Sequence, residues 1–281
     1  MDMIKEEIEK FARKIGFDLI GVSDVKLSAK YFEKYKNWLK QGMNGEMEYM
    51  GKEIPRKDLN EILPGAKTVI VLGMNYFYPQ PALRVGNGRV ARYAYGRDYH
   101  KIILKKLKAV EAFIRRLDPK GNPKGRSKVY VDTGPILEKA FAEQAGLGFI
   151  GKNSCLITKE FGSWVFLGEI ITTLKVEPKV QPWGTCGTCK KCVEACPTGA
   201  INGNGTIDAR KCISYLTIEN KGEISAGLSQ KIKNTGRLYG CDICQEVCPH
   251  NCRSKINTHP SLRDPKIGGD QLNLNEILNL K

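Results

Sequence analysis

The chain has 281 residues, 41% hydrophobic and 27% charged, a balance that fits a folded globular protein and excludes disordered and collagen-like classes. No run of eighteen apolar residues occurs, and the opening MDMIKEEIEKFARKIG reads as an amphipathic helix with early acids, so a cytoplasmic protein without a membrane span is expected. The formal net charge of +15 is uneven: residues 84–128 hold fourteen Lys/Arg against Asp98, Glu111 and Asp118, a pattern that fits a polyanionic partner or a Lys-rich solvated surface.

After the first helix, short β-rich runs alternate with helical patterns. FDLIGVS and KTVIVLGMNYF read as strands. DYHKIILKKLKAVEAFIRRL follows as a helix behind Asp98 as N-cap, with Tyr99, Ile103, Leu107, Val110, Ile114 and Leu117 on its apolar face. Its opposite face carries Lys101, Lys105, Lys108 and Arg115. SKVYVDT is a further strand. The helix expected after it takes Pro135 into its first turn, buries Ile136, Leu137, Ala140 and Phe141, and ends at Gly146. Asp132 then lies where a strand meets a helix. SCLIT and GSWVFLGEIITTLKV complete an α+β first part, residues 1–176, and VEPKVQPWG reads as a linker.

From there cysteine spacing takes over, in a second part over residues 177–252, with a short polar tail at 253–281. The chain has ten cysteines, and in a reducing compartment they point to metals or catalysis and away from disulfides. Cys186, Cys189, Cys192, Cys196 and Pro197 follow the C-x2-C-x2-C-x3-C-P pattern, in which three thiolates hold one 4Fe-4S cluster and the fourth belongs to another. Cys212, Cys241, Cys244, Cys248 and Pro249 resemble a second such run with its first member moved upstream. By the same reciprocity Cys186, Cys189, Cys192 and Cys248 hold one cluster, and Cys196, Cys212, Cys241 and Cys244 the other. Zinc or a thioredoxin-like dithiol are the competing readings, and neither explains two C-P runs. Cys155 and Cys252 are left over as small incidental thiols.

Two clusters alone need far fewer residues, so the first part must use the electrons or bind what uses them. No G-x-G-x-x-G opens a βαβ unit and no P-loop is present. The motifs VDTGPILEKAFAEQAGLGFIGKNSCLI, GSWVFLGEII, RYAYGRDYHK and CISYLTIENKGEI resemble the epoxyqueuosine reductases, cobalamin-dependent iron-sulfur enzymes of tRNA modification, over about Arg56 to Asn251. The resemblance implies a nitroreductase-like cobalamin-binding domain followed by a ferredoxin-like double-cluster domain. It implies reduction of epoxyqueuosine to queuosine at the tRNA wobble position, an epoxide becoming an alkene and water with two electrons and two protons.

In that family's terms Asp132 is the candidate proton donor, which should be shielded from water so that it holds a proton near neutral pH. Arg56, Tyr95, Asn153, Cys155 and Ser214 match regions that contact cobalamin. DYHKII starts like the D-x-H-x-x-G signature of cobalt-ligating proteins, but Ile103 replaces the glycine, so His100 reads as structural and cobalt is expected without a protein histidine. The basic segment would face the anticodon stem-loop of tRNA, and an external low-potential donor would reduce a monomeric enzyme. Many family members continue into helical repeats where this chain has 29 residues after Cys252. A cobalamin-dependent reductase of another electrophile, dehalogenase-like, and a ferredoxin-type electron carrier therefore stay open as alternatives.

Overall fold

A strand buried on both faces has to lie between two packed layers, and Thr68–Asn75 (β2) is buried at all eight positions. In the computed structural model, which describes residues 2–51, 56, 58–117, 126–178, 183–262 and 269–280, β2 pairs antiparallel with Leu19–Asp24 (β1) and Val165–Thr172 (β7). Ser127–Tyr130 (β4) pairs antiparallel with the far edge of β7, giving the order β1-β2-β7-β4. The fold is thus α+β, as expected.

Strand alternation sends Ile70, Leu72 and Met74 to one face and Val69 and Val71 to the other. The first face is covered by the helices Asp2–Lys14 (α1) and Tyr99–Leu117 (α3), through Ile8, Ala12, Ile103, Leu107, Val110 and Ile114. Phe11 and Phe113 stack between those helices at 4.3 Å. The second face is covered by Glu138–Gln144 (α4), with Phe141 and Ala142 packed against Leu59, Ile62 and Leu63. Ala29–Lys40 (α2) reaches the cysteine-rich part instead, where the Trp38 indole N–H donates to the Ile207 carbonyl at 2.7 Å.

The long basic helix follows its periodicity. The His100 N–H donates to Asp98 Oδ1 at 3.0 Å, the expected cap, and Lys101, Lys105, Lys108 and Arg115 are exposed. Arg92, counted within the basic segment, is instead buried in ion pairs with Asp242 and Glu246 at 3.0 and 2.8 Å. Residues 118–125 of that segment and 179–182 of the linker lie outside the described residues.

The helix after VDTGP begins at Glu138, with Leu137 as N-cap, and not at Pro135. Leu137 has φ −86° and ψ 70°, outside the helical region, so residues 131–136, with Asp132 at φ +58°, form a bent loop first. The helix ends as expected, at Gly146 with φ +78°. SCLIT contracts to Leu156–Ile157 (β6), which pairs with Phe149–Ile150 (β5) in a hairpin whose loop carries Asn153 and Cys155.

A third sheet was invisible to periodicity because its strands are only three or four residues long. Asn87–Val90 (β3) pairs parallel with Arg237–Tyr239 (β8) and antiparallel with Gln271–Asn273 (β9). The tail thus folds back onto the first part and carries a small helix at Leu274–Leu278.

Gly148 precedes the β5–β6 hairpin, and a Cβ there would lie 2.2 Å from the Ile157 carbonyl oxygen, a backbone atom. Gly148→Ala should therefore lower stability by about 1–3 kcal/mol, read as a drop in thermal midpoint, whereas Gly187→Ala, where a Cβ meets nothing within 4 Å, tests the strain of φ +49° alone.

Candidate active site and cysteine groups

Between the second face of the main sheet and the cysteine-rich part lies a cavity of about 700 Å³. The 132–140 loop and helix start form one wall, α2 with Tyr49, Met50 and Arg56 another, and residues 205–207 a third. Aromatic and apolar groups dominate it, among them Tyr35, Trp38, Ile136 and Phe166.

Asp132 is held from several sides. Its Oδ2 accepts the Tyr99 hydroxyl at 3.1 Å and lies 3.2 Å from His100 Nε2, while His100 Nδ1 lies 2.9 Å from Asp98 Oδ1. Tyr99 is fixed by stacking on Phe166 at 4.1 Å and on His100 at 4.0 Å. Burial, then the nearby Asp132 charge, raise the Tyr99 phenol well above its usual range, so it stays a neutral donor. The Asp132 side chain is 61% exposed toward the cavity, so the expected shielding from water is not built by the chain alone. The histidine that sequence reasoning set aside as structural is in contact with the candidate acid.

Among the described residues only two non-glycine residues have positive φ, Asp132 at +58° and Ser154 at +62°, and both line this cavity. Such conformations cost on the order of 1 kcal/mol or more and persist where surrounding contacts enforce them. Here the Asp132 N–H donates to Glu138 Oε1 at 2.6 Å, and the Lys139 ammonium donates to the Ser154 carbonyl at 2.8 Å. Behind Glu138 lies Glu169, 0% exposed, from the middle of β7. Burial, then the Asp132 charge, push Glu138 up to about 7. Burial, then Glu138, hold Glu169 well above the usual carboxylate range. Sequence reasoning missed both glutamates; an acid inside the apolar run GSWVFLGEIITTLKV was the available signal, because a buried polar group is the informative exception.

The cysteines of the two runs gather in two places. Cys186, Cys189, Cys192 and Cys248 ring one small cavity together with Asn153 and His250. Cys212 lies near Cys196, and Cys241 and Cys244 lie near Cys212. The thiols surround spaces, and among the described residues no three ligating side chains converge on a single-ion point. Burial pushes the Cys241 and Cys248 thiols up to about 11, so these positions favour neutral thiols until iron replaces their protons. Backbone N–H groups already point at sulfur, from Lys152 to Cys186 at 3.4 Å and from Ala200 to Cys196 at 3.3 Å.

Loop 150–155 joins the two regions. Ile150 and Ser154 line the large cavity, Asn153 lines the first cysteine ring and donates to the Cys244 carbonyl at 3.5 Å, and Cys155 lies against Cys244. Of the other sequence candidates, Arg56 lines the large cavity, with its guanidinium 5.9 Å from the Tyr35 ring centroid. Tyr95 is buried near Arg92 and Asp242, and its hydroxyl has no hydrogen-bond partner among the described residues. Ser214 directs its backbone N–H at the Cys212 sulfur. Neither Tyr95 nor Ser214 is among the cavity-lining residues.

The family described as "Epoxyqueuosine reductase QueG, DUF1730" matches residues 56–133, and "4Fe-4S double cluster binding domain" matches residues 185–251. An epoxyqueuosine reductase of Gloeobacter violaceus is 44% identical over 251 residues, 89% of this chain and 76% of the relative. A crystal structure of epoxyqueuosine reductase with an epoxyqueuosine-modified tRNA-Tyr stem loop superposes with a TM-score of 0.87 at 35% identity, covering 99% of this chain and 73% of that one. A Bacillus subtilis epoxyqueuosine reductase with its catalytic aspartate loop swung out of the active site superposes with a TM-score of 0.88 at 32% identity, again covering 99% and 73%.

Because Glu138 is raised from 4.5 to about 7 in the folded chain, the folded state retains a proton that the unfolded chain releases between those values. Stability should fall as pH rises through that window, by on the order of 3 kcal/mol at most. Glu138→Gln should flatten the fall, measured as thermal midpoint against pH.

Proposed function

Since the chain belongs to the epoxyqueuosine reductase family, we infer that it reduces epoxyqueuosine to queuosine at the wobble position of tRNA. The observation that carries this reading is an aspartate in a strained turn, presented to a 700 Å³ cavity whose far wall leads through one loop to two cysteine groups. Residues 1–176 bind and transform the substrate, residues 177–252 hold two 4Fe-4S clusters, and residues 253–281 return to the first part.

The cavity fits a corrinoid: its volume and apolar, aromatic walls suit a large planar ring, and Arg56 supplies a fixed cation for polar side groups. Cobalamin bound there would supply a strongly nucleophilic reduced cobalt, and the two clusters would supply the two electrons. Cys186, Cys189, Cys192 and Cys248 hold the first cluster, and Cys196, Cys212, Cys241 and Cys244 the second. Asn153 and Cys155 set the distance between cavity and clusters through their loop. Ser214 supports the second cluster through its backbone N–H on the Cys212 sulfur, and Tyr95 lies buried beside Arg92 and Asp242, away from the cavity.

Asp132 delivers a proton to the departing epoxide oxygen. Tyr99 and His100 aim its carboxyl, and the bound nucleoside provides the cover from water that the chain leaves open. The exposed Lys101, Lys105, Lys108 and Arg115 lie on the helix that begins at the cavity wall with Tyr99, and they meet the phosphates of the anticodon stem-loop. An external low-potential donor reloads the clusters of a monomeric, cytoplasmic enzyme. Among the described residues no helix is long and apolar enough to cross a membrane.

Incubating the reduced, cobalamin-loaded chain with epoxyqueuosine-containing tRNA should yield queuosine by nucleoside mass spectrometry, and no conversion where a relative succeeds would refute the substrate. Anaerobic reconstitution should give about eight irons per chain; four irons, or zinc, would refute the cluster assignment. Asp132→Asn should cut turnover by roughly 10²–10⁴-fold and leave the visible spectrum of bound corrinoid unchanged.

A further inference from the structure

The fold sets two carboxyl groups against each other directly behind Asp132, Glu169 fully buried and Glu138 half-buried at the cavity wall. Glu169 projects from β7, in register with Val71 of β2 and Tyr130 of β4, onto the face covered by α4. Neither of its oxygens makes a well-formed hydrogen bond among the described residues, and the polar side chain it faces is the Glu138 carboxyl. Glu138 lines the cavity and accepts the Asp132 N–H at 2.6 Å. The remaining charged or titratable groups around the pair are Asp132, Lys139 and Tyr99.

Two facing carboxyls in a low-dielectric site cannot both ionise, so the pair keeps at least one proton. An apolar side chain at 169 would fill a sheet interior at lower cost. Packing therefore gives no reason for an acid in this position.

The function proposed above, on which this step rests, consumes two protons, and Asp132 holds one at a time. We propose that Glu138, backed by Glu169, is the internal source of the second proton and reprotonates Asp132 within the turnover. The first proton moves from Asp132 to the epoxide oxygen as one C–O bond breaks. The second moves from Glu138 to Asp132, through one bridging water, and on to the hydroxyl as the other C–O bond breaks, C=C forms and water leaves. The two electrons come from the clusters, recharged by the external donor, and solvent later restores both protons, one on Asp132 and one on the pair. Glu138 acts through Asp132 and is a positioning and relay residue. Its rise to about 7 leaves the acid form populated below that pH and depleted above it.

The test compares the cluster- and cobalamin-loaded wild type with Glu138→Gln and Glu169→Gln, reading single-turnover rate against pH and the infrared C=O stretch of protonated carboxyls. The wild-type rate should fall as pH rises through about 7. Glu138→Gln should lose that fall and run roughly 10²-fold slower below it. Glu169→Gln, which keeps the shape of the buried side chain, should remove a protonated-carboxyl band that the wild type shows at neutral pH. An active wild type with the same pH profile in both variants and no such band overturns the relay alone. An inert wild type overturns the proposed function, and the relay's role in that reaction with it.

Discussion

The site depends on one backbone constraint, the left-handed conformation of Asp132. A residue with φ near +58° turns the chain sharply between β4 and α4 and carries the carboxyl out into the cavity. The cost is met by the short hydrogen bond from its N–H to Glu138, which exists because α4 starts late, at Glu138 itself. The delayed start, the strained aspartate and the buried glutamate pair are one arrangement.

Electron supply is organised by a second constraint, the sharing of cysteines between two runs. Cys248 of the later run rings one small cavity with Cys186, Cys189 and Cys192 of the earlier run, while Cys196 lies near Cys212, so the two runs exchange one member each. The Arg92 network fixes these halves against the main sheet. Its guanidinium bonds Asp242, next to Cys241, and Glu246, two residues before Cys248, while lying 4.8 Å from the Trp164 ring centroid. The short sheet of β3, β8 and β9 adds backbone pairing between the first part, the cluster part and the tail. Cavity and clusters are therefore held at a set separation, which electron transfer requires.

Polar groups behind Asp132 divide by exposure. Asp98 and His100 form a chain from the carboxyl toward solvent, while Glu138 and Glu169 form a chain into the sheet. Asp132 thus stands between an exposed chain and one that ends in a fully buried carboxyl, Glu169, which burial keeps protonated.

The sequence alone determined what local rules control. The apolar spacing of Tyr99–Leu117 and its Asp98 cap, the stop at Gly146 and the iron-sulfur spacing of the cysteine runs all follow from periodicity, backbone preference and ligand count within short stretches. The motifs around Asp132 and Asn153 carried the family likeness. Tertiary structure alone decided the rest: the burial of Arg92, the pairing of strands of three or four residues from residues 87, 237 and 271, the approach of His100 to Asp132 across 32 positions, and Glu169 behind Glu138. These contacts join residues far apart in the chain, where no local spacing encodes which side chains meet, and burial then sets their charge.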